Sequence, residues 1–290
     1  MELLWLYLTL IATIARGLNS VVLKVFTQKE SKQELVIIYE SLFTTLFAGI
    51  FYILFSKSEL IVPTGFTLLL ILSVGLVVAL SRKLVLQSLS HLSASAYFIL
   101  VRIFSSFFVV IFSMIFLQEF LTLTQWIGIF FGIVVFLLLY DTKDKVKKSA
   151  NIKLGFLFLF LVVLCFSYVN PIHKLIMSEI DIYLYLFYFM LSTLFFSTIL
   201  FLKPVKNEIL NTSKNLKIMG LALSSSFLLV VSITFLFQAY LLQEVAIVYK
   251  IFSFELFIPI IFSIIVYKEK ITIRKVGAFI GTILTILFFV

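Results

Sequence analysis

Five ionisable side chains stand within stretches of sequence that are otherwise long and apolar. They are Arg16, Glu40, Arg102, Lys250 and Glu255. An ionisable side chain near the centre of a bilayer costs at least about 2.5–3.5 kcal/mol, so it usually faces a partner or a water-filled cavity. Arginine can hold a carboxylate or a phosphate through two hydrogen bonds, and glutamate can hold an ammonium group or a proton. Three basic and two acidic groups predict a site for a zwitterion or a small anion rather than for a lipophilic cation.

Two interpretations of these charges stay open. Arg102 and Lys250 lie in the fourth and ninth apolar stretches, which the repeat described below makes equivalent. The functional interpretation is that both side chains reach a shared site at the midplane of the membrane. The structural interpretation is that Arg16 pairs with Glu40 and only holds two helices together.

Prolines near two candidate residues predict interruptions in the helices that carry them. Glu255 lies four residues before Pro259, which has no N–H to donate to the Glu255 carbonyl, so a kink is expected there. Asn170 directly precedes Pro171 in the sixth apolar stretch. Interrupted helices at corresponding positions of two halves indicate the binding site of a transporter, which makes Asn170 a further candidate ligand. The alternative for Pro171 is that the helix ends there.

The composition limits the class of protein before any single residue is considered. The chain has 290 residues, of which 62% are hydrophobic and 13% charged, with a mean hydropathy of +1.20, whereas soluble domains have about 45–50% apolar and 25% charged residues. The single cysteine excludes an internal disulfide framework. Continuous apolar runs predict an all-α integral membrane protein of ten transmembrane helices. The runs cover residues 3–26, 34–56, 66–86, 92–117, 123–141, 154–173, 182–202, 216–240, 246–267 and 272–290.

An internal repeat with an offset of 150 residues relates the two halves of the chain. Residues 111–119 align with residues 261–269 at five identical positions of nine, and the same offset pairs Lys24 with Lys174. Each half holds five predicted helices, and because five is odd the second half must enter the membrane from the opposite side. The sequence therefore predicts two inverted five-helix repeats. Their predicted bounds are residues 1–141 and 154–290, with a linker at 142–153.

The segment from Phe116 to Gly128, FLQEFLTLTQWIG, resembles the junction of the last two helices in an EamA repeat of the drug/metabolite transporter superfamily. The second copy around Glu269 resembles it more loosely. The chain departs from the usual pattern at Gln118 and Lys268, where the family has glycine. The resemblance extends over the whole chain as two copies. It implies a ten-helix carrier of small metabolites, a class that includes carriers of amino acids, drugs, sugars and phosphorylated compounds.

The net charge of +9 is explained by membrane topology rather than by nucleic-acid binding. Eighteen of the 23 lysines and arginines fall in the odd-numbered loops between the predicted helices. The positive-inside rule places these loops in the cytoplasm, with the chain in the plasma membrane and both termini outside. EamA proteins usually have both termini inside, so the charge distribution and the family habit predict opposite orientations.

Motifs for energy coupling and catalysis limit the remaining function classes. Neither GxxxxGK[ST] nor GxGxxG occurs, so an ATP-driven pump is not expected. One cysteine and two separated histidines do not favour an enzyme, and we expect no resident cofactor or metal. The sequence predicts a secondary-active carrier working by alternating access, with a small molecule, a coupling proton or counter-substrate and the bilayer as partners. The oligomer is a monomer or a homodimer. The competing class is a membrane scaffold that transports nothing.

Overall fold

The computed structural model describes residues 3–27, 33–56, 58–63, 65–92, 94–139, 151–212, 216–267 and 272–289, and every regular element in these ranges is helical. The helices are α1 (Leu4–Thr27), α2 (Gln33–Phe55), α3 (Gly65–His91), α4 (Ala94–Leu117), α5 (Leu123–Leu139), α6 (Ile152–Met177), α7 (Ile182–Thr212), α8 (Leu216–Leu242), α9 (Val245–Phe252), α10 (Phe257–Tyr267) and α11 (Ile273–Leu287). A single 3-10 turn, Ser253–Leu256, joins α9 to α10. All ten predicted apolar stretches are helical, and the ninth is split into two.

Eight segments of the described chain are long and apolar enough to cross a bilayer. The two remaining apolar helices, α5 and α11, are shorter, at 17 and 15 residues. Many large apolar side chains point outward, among them Ile53 at 78% and Ile273 at 88% exposure. A helical surface of this kind is typical of lipid contact. The chain is an all-α, multi-pass membrane protein.

The helices pack in a regular pattern of partners. The most extensive contacts join α1 to α8, α3 to α6 and α2 to α7. Further contacts join α3 to α7 and α2 to α8, α4 to α6 and α1 to α9, and α5 to α11. Hydrogen bonds cross some of these contacts: Ser232 Oγ donates to the Ala12 carbonyl at 2.8 Å, and Asn19 Nδ2 donates to the Ser225 carbonyl at 2.6 Å. Small polar side chains of this type hold helices together where lipid surrounds them.

Two expectations about helix boundaries are wrong. Helix α6 runs through Pro171 without interruption, so the predicted break beside Asn170 is absent and the alternative helix end is absent as well. Asn170 Nδ2 donates to the Phe166 carbonyl at 2.6 Å, within the same helix. The charge count above placed Arg82 in the third loop, although the predicted stretch 66–86 includes it, and the structure places it within α3.

Several sequence-based predictions lie outside the described residues. Most of the predicted linker, residues 142–150, belongs to this group. The side chain of Lys24 and the segment that contains Lys268 and Glu269 belong to it as well.

Candidate functional site

Glu255 lies in the 3-10 turn at the centre of the split ninth segment. Pro259 is the third residue of the following helix and cannot donate to the carbonyl of Glu255, four residues earlier. The helix interruption predicted beside Pro259 is therefore confirmed, in the form of the 3-10 turn Ser253–Leu256. The turn holds the Glu255 carboxylate in the interior of the bundle, where the residue is 3% exposed.

Two arginines from different helices converge on this carboxylate. Arg102 of α4 donates from its guanidinium to Glu255 Oε1, and Arg16 Nε of α1 lies 3.6 Å from Glu255 Oε2. Arg16 reaches this position because α1 comes unusually close to α10 at Gly17, where a Cβ atom would overlap Ile258. Among the described residues Arg16 pairs with Glu255 and not with Glu40, so the structural pairing considered from the sequence is wrong.

The cluster has unused hydrogen-bonding capacity. Glu255 Oε2 is buried and accepts no hydrogen bond of normal geometry from the described residues. The hydroxyl of Tyr97 is buried and unpartnered in the same sense, and it lies near enough to interact electrostatically with Arg102. The hydroxyl of Tyr249 lies within hydrogen-bonding reach of Arg102. Glu255 Oε2 and the Tyr97 hydroxyl thus keep hydrogen-bonding capacity beside the ion pairs.

Lys250 lies on α9 beside this cluster and is completely buried. Its ammonium donates to Ser106 Oγ at 3.2 Å and lies 4.7 Å from the centre of the Phe136 ring. Gly132 of α5 makes room for it, since a Cβ atom at that position would overlap the end of the lysine side chain. No carboxylate of the described chain pairs with Lys250.

Arg102 and Lys250 lie on two helices that pack together, α4 and α9, and near enough for their charges to interact. Ser106, one turn after Arg102, accepts from Lys250 and donates to the Arg102 carbonyl at 2.7 Å. The two basic groups thus share one neighbourhood, although they bind different partners within it.

Glu40 occupies a different part of the interior. It lies on α2, 8% exposed, and its charge interacts with Arg82 of α3. The Arg82 guanidinium also donates to Ser41 Oγ at 2.7 Å and lies near enough to Arg16 for their charges to repel. Arg82 is therefore a fourth basic group of the interior, beside Arg16, Arg102 and Lys250.

Asn170 has partners of its own and is not in contact with the ion pairs. Its Oδ1 accepts from the Tyr240 hydroxyl at 2.6 Å, while its Nδ2 is bonded within α6. This arrangement links α6 to α8. The structure thus brings together Arg16, Arg102, Glu255 and the neighbouring Lys250. Glu40 and Asn170 are linked to this cluster only indirectly, through Arg82 and Tyr240.

Arg16, Arg82 and Arg102 all lie within segments that are long and apolar enough to cross a bilayer. No group of three or more histidine, cysteine, aspartate or glutamate side chains comes together in the described ranges, so the cluster offers basic groups and a carboxylate rather than a set of metal ligands.

A second group of polar contacts lies at one end of the bundle. Lys174 Nζ donates to Glu119 Oε1 at 2.7 Å and to the Gln243 carbonyl at 2.9 Å. Glu119 Oε2 accepts from the Val245 backbone N–H at 2.9 Å. One carboxylate thereby ties the segment after α4 to the end of α6 and to the start of α9. The residue before it, Gln118, has φ +54°, a backbone conformation that favours glycine.

Sequence reasoning missed three features of this site. Arg82 falls inside the predicted third helix, and that signal was available. Tyr97 and Tyr249 carry no pattern that separates them from other aromatic residues of the chain. The contact of Gly132 with Lys250 joins two predicted helices that nothing in the sequence links to each other.

Comparisons with known proteins bear on the fold only. No family model matches the chain and no curated protein matches it. Twenty-six chains of solved structures match. One of them, described only as the crystal structure of a protein, aligns with a TM-score of 0.76 at 10% sequence identity and covers 97% of this chain and 94% of its own. At that identity the likeness establishes that this chain has the fold of the solved structure over nearly its whole length.

Proposed function

We propose that this chain is a secondary-active transporter that moves a small zwitterionic metabolite, such as an amino acid, by alternating access around a site at the membrane midplane. The observation that carries the proposal is the convergence of Arg16 and Arg102 on Glu255, whose Oε2 is buried without a hydrogen bond. A protein that only needs a stable bundle gains little from such a group, because an apolar core of equal volume is often as stable as a buried ion pair.

A zwitterion fits this cluster because it carries one charge of each sign, and each charge can replace one partner of the ion pairs around Glu255. Its carboxylate can bind the guanidinium of Arg102 or Arg16, and its ammonium can bind the carboxylate of Glu255. No buried charge is then left alone. A simple cation or anion would free one partner of the Arg102–Glu255 pair and leave it uncompensated, which costs about 3–5 kcal/mol in a protein interior.

Alternating access is proposed from the packing of the two halves. The repeat makes each helix of the first half equivalent to one of the second half: α1 to α6, α2 to α7, α3 to α8, and α4 to the split ninth segment. When each helix is replaced by its equivalent, the α1–α8 contact becomes the α3–α6 contact. The same exchange turns the α3–α7 contact into α2–α8 and the α4–α6 contact into α1–α9, and it leaves α2–α7 and α5–α11 unchanged. This correspondence supports two inverted five-helix repeats of the EamA kind, with α5 and α11 as two short spans that complete ten.

The remaining parts of the proposal follow from the charge distribution. The basic odd-numbered loops are assigned to the cytoplasm, in a plasma membrane, and transport is export or exchange coupled to a proton or a counter-substrate. We propose neither an enzymatic activity nor a resident cofactor. A reporter that works only in the cytoplasm, fused after Val290, tests the orientation: an inactive reporter supports it, and an active one contradicts it.

Transport itself is tested with the purified protein in proteoliposomes. Labelled amino acids, organic acids and sugar phosphates are offered with and without a pH gradient. We expect saturable uptake of at least one amino acid, and its loss in Arg102→Gln. Lys203→Gln, which removes an exposed positive charge near the end of α7, is the matched control and is expected to transport normally. Uptake of no compound in the panel would favour the scaffold class.

Lys250 favours a second candidate function, the transport of small organic or phosphorylated anions. Its buried ammonium has no carboxylate partner in the described chain, so the interior carries more positive than negative charge. An anion that reached Lys250 would compensate this charge. The same uptake panel separates the candidates, since an anion carrier takes up organic acids or sugar phosphates in preference to amino acids.

A further inference from the structure

An apolar cavity of about 170 Å³ is lined by residues of α1, of the segment that carries Glu255 and of α11. Thr13 and Ile14 of α1 form one wall, Phe254, Phe257 and Ile258 form the floor, and Phe279 and Thr282 of α11 contribute to the opposite wall. The two phenylalanines of the floor are each 5% exposed, whereas Ile14 at the rim is 50% exposed. The cavity is thus a recess with a buried floor and an accessible edge.

We propose that this cavity holds the side chain of the transported molecule, and that the substrate is an α-amino acid with a large apolar side chain, from isobutyl to aryl in size. This inference rests on the proposed function, because it takes the Arg16–Glu255–Arg102 cluster as the site for the charged backbone groups of the amino acid.

The cavity lies where the side chain of such a substrate would be. Arg16 follows Thr13 by three residues, so the two lie on one face of α1 in adjacent turns. On the other wall, Phe254 directly precedes Glu255, and the lining residues Ile251 and Ile258 lie four residues before it and three residues after it. Residues at these spacings share one face of a helical segment, so the charge cluster and the cavity lining are carried by the same two segments.

The chemistry of the lining selects an apolar group. Thr13 Oγ1 donates to the Thr9 carbonyl at 2.7 Å, and Thr282 Oγ1 donates to the Ala278 carbonyl at 2.9 Å. Both hydroxyl protons are used within their own helices, so these threonines have no free hydrogen-bond donor to offer a polar ligand group in the cavity. A polar side chain placed there would lose its hydration without compensation.

The volume sets the size of the group. An apolar cavity of about 150 Å³ in a protein interior stays dry and binds benzene. A cavity of 170 Å³ accordingly accommodates the side chain of leucine or phenylalanine. It leaves alanine with an unfilled space, and a missing methylene in an apolar pocket reduces transport efficiency about tenfold or more.

The other candidate occupant is a lipid acyl chain, since the rim is exposed and the surface of the bundle is apolar. The adjacent charges argue for the amino acid. An acyl chain makes no ion pair with the neighbouring charged residues. In an α-amino acid, by contrast, the apolar side chain and both charged groups are attached to the same carbon, so one molecule can occupy both places.

The test fills the cavity while leaving the charge cluster in place. Thr282→Phe puts an aromatic ring into it, and Thr198→Phe is the matched control, because Thr198 is also half-buried and also donates to its own helix. Exchange of labelled leucine, phenylalanine and alanine is measured in proteoliposomes. We expect Thr282→Phe to reduce leucine and phenylalanine exchange at least about tenfold while alanine exchange changes less than about twofold. Thr198→Phe is expected to leave all three unchanged.

A second variant keeps the proposal testable if the filled cavity prevents folding. Phe279 packs on Phe257 with ring centres 4.7 Å apart, and Phe279→Ala enlarges the cavity. It is expected to shift the preference from leucine towards tryptophan by about tenfold. Equal effects on alanine and leucine in both variants would overturn the inference. Unchanged exchange together with loss of a bound lipid in native mass spectrometry would assign the cavity to lipid and overturn it too. A wild-type protein that transports no amino acid would instead contradict the proposed function.

Discussion

Lys174 and Glu119 form a direct ion pair, 2.7 Å from Nζ to Oε1, that joins the end of α6 to the segment after α4. The second carboxylate oxygen of Glu119 accepts from the Val245 N–H at the start of α9, so a single side chain holds three parts of the bundle. Both side chains are partly buried, at 24% and 11% exposure, which protects the pair from solvent. These contacts hold this end of the bundle together.

The Lys174–Glu119 contact predicts unequal effects of substitution. Lys174→Gln is expected to lower the free energy of unfolding by about 1.5–3 kcal/mol, the range for hydrogen bonds to charged groups. Glu119→Gln is expected to cost less than Glu119→Leu, because an amide oxygen can still accept from Val245. The variants are compared by thermal unfolding in detergent, with Lys153→Gln on the exposed start of α6 as the control. Equal stability of Lys174→Gln and the control would contradict the structural role of the pair.

The same pair provides a test of the inverted repeat. The 150-residue offset makes Lys24 and Glu269 the sequence equivalents of Lys174 and Glu119. If the halves are equivalent, a double-mutant cycle between Lys24→Gln and Glu269→Gln should give a coupling energy in transport, as should the cycle between Lys174→Gln and Glu119→Gln. Additive effects for Lys24 and Glu269, with coupling for the other pair, would count against equivalence.

Gln118 predicts a stabilising substitution. Its φ of +54° costs a residue with a side chain roughly 1 kcal/mol, and glycine avoids that cost. Gln118→Gly is therefore expected to raise the unfolding temperature, whereas Gln118→Ala is not, since alanine pays the same conformational cost. Thermal unfolding of the two variants checks this. Equal unfolding temperatures for glycine and alanine would show that the backbone at this position is not strained.

The contact of Gly132 with Lys250 predicts that one added methyl group is destabilising at one glycine and not at another. Gly132→Ala places a Cβ atom against the end of Lys250 and is expected to lower stability by about 1–3 kcal/mol, as overpacking does. Gly220→Ala in α8 meets no atom within 4 Å and is expected to raise stability by about 0.5–1 kcal/mol. Adding Lys250→Ala should remove most of the penalty at Gly132. A penalty that persists in the double variant would contradict the proposed clash.

The helices could be predicted from the sequence, and the partners of the charged residues could not. Continuous apolar runs indicate membrane helices because backbone polar groups must be satisfied within the segment. The interruption near Glu255 was predictable because proline removes a specific donor. Pro171 has the same chemistry but lies buried in a continuous helix that packs on its neighbours α3 and α4. The presence of a proline in the sequence does not show how the surrounding helices pack around it.

The pairing of Arg16 with Glu255 shows the same limit for the site. In sequence Arg16 and Glu40 lie on consecutive helices, so they are the natural pair to expect. In the structure α1 packs chiefly on α8 and also meets the 3-10 turn, while α2 packs on α7 and α8. The choice of partner depends on the close approach at Gly17, and nothing in the sequence near Gly17 or Glu255 indicates that these two segments meet.

The central claim is that the arginines around Glu255 bind the transported molecule, and exchange of a labelled amino acid in proteoliposomes containing Arg102→Lys tests it most directly. Lysine keeps the positive charge beside Glu255 and so limits the risk of misfolding, but it cannot hold a carboxylate through two parallel hydrogen bonds. Exchange is expected to fall at least about tenfold with the protein still folded, while Lys203→Gln exchanges as the wild type does. Arg102→Lys and Arg102→Gln variants that both exchange amino acids at the wild-type rate would contradict the account.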